Sequence, residues 1–407
     1  MAPWLNYALD WANLLLRWAH VVVAIAWIGS SFYFVWLDNS LAPPTDPALR
    51  DKGVGGELWA VHGGGFYNPQ KYLGAPKALP AHLHWFYWES YSTWLTGFAL
   101  FTVLYLFNAG TFLIDKSVFD WPPAAAVGTA LAFLVGFWVI YDLICRTAGR
   151  KPESHATVGA LVFGVIVLAA WAASQLFAGR AAFLLVGAMM ATTMSANVYF
   201  WIIPGQRTMV ASIKAGRPVD PIHGQRGKQR SVHNTYFTMP VLIAMLSNHY
   251  GWIYGHSHSW LALVLLMLAG ALIRHFFVAR HKTEVAGMRP PWAWAVAGGA
   301  LVLGVAIWLA PSGLPSVSSA QETVPVVETR ASLMGQVQGI VQQRCVMCHN
   351  AQLANKGVRL DTPAMIGQHA QQIHQQAVVL KAMPMNNATQ ITDAERAVLG
   401  RWYMAAP

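Results

Sequence analysis

"HSWLALVLLMLAGALIRHFFVAR", residues 258–280, decides the fold class. Fifteen residues lie between the histidine that opens it and Arg274, and all of them are apolar or small. The run reaches the roughly 20 residues that a helix needs to cross about 30 Å of hydrocarbon. Near its inner end an arginine and a histidine interrupt it. Ionisable side chains inside a span are costly and mark candidate functional sites.

Runs of this kind recur. The whole chain of 407 residues is 55% hydrophobic and only 11% charged, far below the roughly 25% of a typical soluble domain. Eight spans are expected, at about 11–36, 85–107, 122–145, 156–177, 181–203, 232–253, 258–279 and 291–310. The expected class is therefore all-α, an eight-span helix bundle over residues 1–310. The formal net charge is +10, which raises the question of nucleic acid. A nucleic-acid binder gathers its cations on one soluble face; here they fall in short loops between apolar runs, so nucleic acid is excluded as a partner and a lipid membrane is expected instead.

The loops also set orientation. One set holds Arg50, Lys52, Lys71 and Lys77, then Arg146, Arg150 and Lys151. It continues with Arg207, Lys214, Arg217, Arg226, Lys228 and Arg230, then Arg280, Lys282 and Arg289. The alternate set holds Lys116 and Arg180. The basic set is expected to be cytoplasmic, which puts both termini on the other side, the periplasm of a bacterial inner membrane. No basic region precedes the first span and no small-residue cleavage site follows it, so a removed signal peptide is the weaker reading of residues 1–30.

The texture changes near residue 310. "APSGLPSVSSAQETVPVVETR", 310–330, is rich in Pro, Ser and Val and reads as a linker over 311–328. Residues 329–407 form a small soluble domain, marginal as a core on its own. It carries Cys345-Val346-Met347-Cys348-His349, the pattern of covalent c-type haem attachment. Two thiols three positions apart reach the two vinyl groups of one porphyrin, and the adjacent imidazole becomes the proximal iron ligand. A zinc site would need a second pair of cysteines, and the chain has three cysteines in all. A redox dithiol would want a strand before it, whereas "LMGQVQGIVQQR" reads as helix. The sixth ligand is expected in "KAMPMNNATQITDAE", 381–395: Met383 first, Met385 second. His369 and His374 sit on a polar helical stretch, where a solvated face is the plainer reading. Met/His ligation raises the potential and suits an electron acceptor. Thr392 to Glu395 has the form of a capping box at the start of the last helix, with Trp402 and Tyr403 covering the haem edge or the domain's first helix. Haem c is attached outside the bacterial inner membrane, in agreement with the loop charges.

Within the spans lie His20, Glu89, His233, His249, Arg274 and His275, with Asn197 and Asn234. His233 lies 16 residues below His249, and His275 lies 17 below His258. Both drops are roughly 25 Å, so the two histidines share a depth with Glu89, Asn197, Asn234, Thr238 and Arg274. An outer group forms at His249, His256 and His258, with Asn248 and Tyr250. A single intramembrane histidine is more often an interhelical hydrogen-bonding group than a ligand. A level holding a carboxylate, two imidazoles, a guanidinium and amides points to a substrate or cofactor site. Cys145 reads as a buried small hydrophobe.

"HLHWFYWESYSTWLTG" (82–97), "SANVYFWIIPGQ" (195–206) and "RSVHNTYFTMPVLIAMLSNHYGW" (230–252) resemble the bacterial membrane-bound urate oxidases. The likeness covers essentially the whole chain, and the third segment is its most specific part. "AHVVVAIAWIG" (19–29) is similar to the first helix of membrane haem proteins of the protoporphyrinogen-oxidase type, a likeness of one helix only. The main resemblance implies oxidation of urate to 5-hydroxyisourate. The electrons then pass to haem c, on to a soluble cytochrome c or terminal oxidase, and not directly to oxygen. Arg274, Asn197 and Asn234 are candidate partners for the urate anion, and Glu89 or His233 the candidate base.

Urate yields two electrons and a haem accepts one at a time. A second, b-type haem is therefore expected between the inner level and haem c, with His20 as one ligand and His249, His233 or His275 as the other. Two further readings remain: a quinol-oxidising or anchoring electron-transfer subunit without a substrate site, and a transporter with a redox tail.

Overall fold

A computed structural model describes residues 3–76, 78–150, 154–310 and 329–405. Lys77, Lys151 and the expected linker 311–328 lie outside the described residues. The protein is mostly helical, in agreement with the all-α expectation. Its long helices are α1 Pro3–Ser40, α2 Trp88–Phe101, α3 Pro123–Thr147, α4 His155–Leu176, α5 Gly179–Asn197, α6 Ile203–Lys214, α7 Pro221–Leu246, α8 Ser259–Val285 and α9 Trp292–Trp308. The carboxyl-terminal segment adds α10 Arg330–Arg344 and α11 Asp393–Met404.

Among the described residues, five stretches are helical, long and apolar enough to cross a membrane: Tyr7–Ser40, Pro123–Arg150, His155–Leu176, Gly179–Lys214 and Ser259–Val285. α9 is apolar but shorter. The other two expected spans form helices that differ in kind. α2 has only 14 residues before it widens into a π turn over Thr102–Leu106. α7 carries Arg226, Lys228 and Arg230 in its first half, and it starts at Pro221, well before the expected 232. Asp220 caps it, accepting from Ile222 N at 2.9 Å, and Pro221 supplies a first residue whose missing N–H costs nothing there. α1 is longer than expected. Its 38 residues extend to about 57 Å, more than the roughly 30 Å of a hydrocarbon core.

α5 is the central helix. Its residues are largely buried, and it packs on α3, α4 and α7. Small residues allow this. A Cβ on Gly187 would lie 3.0 Å from the Ala244 side chain of α7, so the two backbones meet closely there. A π turn over Val198–Ile202 joins α5 to α6 without a break. One element escaped the sequence reading. Between α1 and α2 lie four short strands, β1 Val54–Glu57, β2 Ala60–His62, β3 Gly65–Tyr67 and β4 Gln70–Tyr72. β1 pairs with β4 and β2 with β3, both antiparallel, and Lys71 on β4 is bonded to Asp38 at the end of α1.

The carboxyl-terminal segment has its own core of Leu333, Val337, Val341, Ile366, Leu399 and Trp402. α10 packs on α11. The expected capping box is present: Thr392 Oγ1 accepts from Glu395 N at 3.2 Å, and Glu395 Oε2 accepts from Thr392 N at 2.6 Å.

Candidate functional site

Three of the predicted residues meet in one network. Asn197 on α5 donates through Nδ2 to the Tyr141 hydroxyl at 3.0 Å and to Asn234 Oδ1 on α7 at 2.9 Å. Asn234 Nδ2 donates to Met194 O at 3.0 Å. The Tyr141 hydroxyl lies 2.8 Å from His233 Nδ1. Tyr141, Asn197 and Asn234 are buried. Three helices, α3, α5 and α7, are thereby tied through side-chain polar groups where the spans are otherwise apolar.

At the residue after Tyr141 a second set of contacts begins, through residues that the sequence reading passed over. Asp142 is buried in α3 and accepts from Arg230 Nη2 at 2.8 Å, from Trp201 Nε1 at 2.8 Å and from Arg146 Nε at 2.6 Å. The Arg230 guanidinium also lies 5.0 Å from both the Tyr141 and Trp201 ring centroids. Sequence reasoning counted Arg230 and Arg146 as loop charges, but Arg230 is only 2% exposed. A signal for this was present: "VIYDLIC", 139–145, places a carboxylate inside an apolar run, and a buried carboxylate requires a cationic partner.

The remaining predicted residues stand apart from that network. His275 on α8 sits 2.7 Å through Nδ1 from the Tyr236 hydroxyl and packs edge-on against Trp294. Arg274, buried, lies over the Phe32 ring of α1 at 3.7 Å, and its Nε and Nη2 have no partner among the described residues. Glu89 Oε2, Thr193 Oγ1 and Asn197 Oδ1 are likewise buried without a partner. Buried polar atoms are normally satisfied, so each of these needs an explanation. Next to Glu89, Ser90 Oγ lies 3.0 Å from Ser195 Oγ, which couples α2 to α5 two residues before Asn197. His20 on α1 places Nδ1 3.1 Å from Thr93 O and 3.1 Å from Thr96 Oγ1 on α2. Gly97 makes room for that ring, since a Cβ there would come within 2.7 Å of it.

A cavity of about 1410 Å³ opens among α3, α4, α7 and α8. His233 and His275 both line it, with Tyr236, Cys145 and Arg230. Its walls are mostly apolar, and Arg150, Arg226 and Lys228 stand at the end nearer the basic loops. His20, Glu89, Asn197 and Arg274 do not line it.

A second cleft, of about 1050 Å³, separates the helical bundle from the carboxyl-terminal domain. His249, His256, Tyr254 and Arg180 line one side, and Met383, Met385, Lys381 and Arg396 line the other. The two parts touch closely beside it, where a Cβ on Gly251 would lie 2.8 Å from Leu380 O. His258 packs at a tilt against His256 and Trp308 beside this face.

In the carboxyl-terminal domain, α10 ends at Arg344 and delivers Cys345 into the edge of the small core, while Cys348 is exposed. Both are free thiols, and burial pushes Cys345 up to about 11. His349 Nδ1 lies 3.2 Å from Val358 O, which leaves Nε2 as the nitrogen available to a metal. Arg396 Nη1 donates to Met383 O at 2.9 Å and so fixes the backbone of that loop. Trp402 is fully buried, and its Nε1 has no acceptor among the described residues. His374 is not simply solvated: it stacks on Tyr403 with centroids 4.4 Å apart. No group of three or more His, Cys, Asp or Glu placed to hold a metal ion occurs among the described residues.

Comparison with known proteins gives one finding. The family model described as urate oxidase N-terminal matches residues 6–310. No curated protein and no solved structure matches the chain. The match runs from α1 through α9 and ends where the described bundle ends. It takes in the Tyr141–Asn197–His233 network, both groups of unpartnered polar atoms and the inner cavity. The chain therefore belongs to the urate oxidase N-terminal family, and its helical bundle is that of a urate-related oxidoreductase.

Proposed function

We propose that this chain oxidises urate to 5-hydroxyisourate within a bacterial inner membrane and passes the electrons to a haem c held by its own carboxyl-terminal domain. Both termini are periplasmic, eight spans cross the bilayer, and a soluble cytochrome c or a terminal oxidase takes the electrons onward. The observation that carries this reading is the set of unpartnered buried polar atoms inside a bundle of the urate oxidase N-terminal family. Arg274 Nε and Nη2 are donors, whereas Glu89 Oε2 and Asn197 Oδ1 are acceptors. Urate presents carbonyl oxygens and N–H groups in one plane, and a purine anion needs that mixture of partners.

The chemistry balances. One water oxygen joins C5 of urate, two protons leave, and two electrons leave. Arg274 offsets the negative charge of the substrate. Glu89, whose Oε2 is buried without a partner, takes a proton, and His233, held by Tyr141, is the alternative base. Asn197 and Asn234 orient the ring edge.

The carboxyl-terminal residues fit a covalent haem. Cys345 and Cys348 would supply the thiols, and His349, its Nδ1 engaged by Val358 O, and Met383 would hold the iron. Bound there, haem c accepts one electron at a time at a raised potential.

Anaerobic addition of urate to the purified protein, followed at the haem α-band, tests this reading. Reduction by urate without added quinol supports it. Reduction by quinol alone points instead to an electron-transfer subunit that has no substrate site.

A further inference from the structure

The inner cavity holds two imidazoles that the urate reading leaves without a shared role. His233 and His275 come from adjacent helices and line the same space. Each has its Nδ1 against a tyrosine hydroxyl, Tyr141 at 2.8 Å and Tyr236 at 2.7 Å. Neither Nε2 has a hydrogen-bond partner among the described residues. An imidazole oriented through one nitrogen, with the other presented to a cavity, is the arrangement of a metal-ligating histidine with its outer partner in place.

The rest of the cavity is amphiphilic. Val158, Val162 and Ile166 of α4 form one apolar wall, and Met267 and Ala271 of α8 form another. The basic end has charge to spare. Arg146 and Arg230 are both committed to Asp142, but Arg150, Arg226 and Lys228 form no salt bridge among the described residues. At about 1410 Å³ the space exceeds the roughly 300–1,000 Å³ of drug-sized sites, and a purine alone would leave most of it unfilled. A flat macrocycle with a carboxylate-bearing edge matches all three features: apolar walls, a cationic rim and imidazoles. An anionic phospholipid matches the walls and the rim but leaves the two oriented imidazoles unexplained.

We infer that this cavity binds a non-covalent haem of the b type, with His233 and His275 as its imidazole ligands and Arg150, Arg226 and Lys228 about its propionates, which leaves Glu89 and not His233 as the base for urate. His20, turned toward Thr93 and Thr96 of α2, does not line this cavity. The position suits an electron relay. The cavity reaches Pro240 on α7 and Met267 on α8, and the outer cleft beside Met383 begins at His249 and Trp260. Seven to nine residues separate those points along each helix, roughly 10–14 Å. On the urate reading, on which only the direction of electron flow depends, each of the two electrons from urate would pass through this group singly on its way to haem c.

The test is the haem content of the purified full chain. Acid–acetone extraction removes non-covalent haem and leaves covalent haem with the protein. The expected result is one extractable haem for each covalent one. His233→Ala and His275→Ala each lower the extractable haem by at least about tenfold, with the covalent α-band unchanged as the control for folding. All haem covalent in the wild type overturns the proposal. Extractable haem that survives in both variants overturns it too, and assigns the ligands elsewhere. An anionic lipid that co-purifies in the absence of extractable haem assigns the cavity to lipid. Reduction of the covalent haem by urate in the wild type is scored separately, so failure of the urate reading is told apart from failure of this one.

Discussion

The Tyr141 hydroxyl stands 2.8 Å from His233 Nδ1 and also accepts from Asn197 at 3.0 Å. One phenol therefore fixes both the ring of a candidate base or ligand and the amide of a candidate substrate contact. Tyr141→Phe keeps the ring and removes the link. It leaves a buried amide N–H and an imidazole nitrogen unsatisfied, at a cost of about 1–3 kcal/mol. On the proposed function, we expect slower reduction of the covalent haem by urate with its spectrum unchanged, measured by stopped flow.

Asp142 presents a different case, because its partners are charges. Asp142→Ala leaves Arg230 buried and unpaired, and removal of one member of a buried pair costs about 3–5 kcal/mol. The expected outcome is a large fall in thermal stability in detergent. The double variant Asp142→Leu with Arg230→Met is expected to recover most of it, since an apolar pair of similar volume is tolerated there.

Arg274 is expected to affect binding. Arg274→Gln keeps hydrogen-bonding capacity and removes the charge that the proposed function sets opposite the urate anion. Loss of a buried charged contact costs 2 kcal/mol or more, about 30-fold or greater in kcat/KM for urate. An unchanged kcat/KM would remove Arg274 from the substrate site.

Acid should loosen the carboxyl-terminal domain before the bundle. Burial alone would raise the Glu395 carboxyl, but hydrogen bonds from Thr392 and Arg344 outweigh it and hold that carboxyl below its ordinary value. The hydrogen bond from Lys381 holds Asp393 below its ordinary value as well. Groups lowered in the folded state contribute stability above the ordinary carboxylate range and lose it as pH falls below that range. Near-UV circular dichroism of the full chain should show an acid transition that Glu395→Gln makes shallower.

Gly251 sets the approach of the two domains. A side chain there would collide with the Leu380 carbonyl, a backbone atom with little freedom to yield. Gly251→Val should displace the carboxyl-terminal domain. On the proposed function, we expect slower reduction by urate of the haem held there, with reduction by ascorbate unaffected.

The bundle was legible because apolar runs of membrane length are long-range signals that need no tertiary context. The level of polar residues was legible in part. Helical rise places His233, Asn197 and Asn234 at one depth, but depth does not say which face of each helix they share. Asn197 and Asn234 do meet, whereas Arg274 turns toward Phe32. Asp142 and Arg230 were read past because charge near a helix end resembles a wet loop until packing shows it buried. The strands over 54–72 were hidden by their brevity: each has three or four residues, and half of β1 is glycine.

The carboxyl-terminal domain presents two kinds of surface. Met383 faces the cleft shared with the bundle, while Met347 and Cys348, at the attachment motif, are exposed. On the proposed function, loading and unloading of that domain need not compete for one doorway. An external carrier can collect charge at the open edge while the docked edge stays in place, so turnover requires no swinging of the domain on its tether.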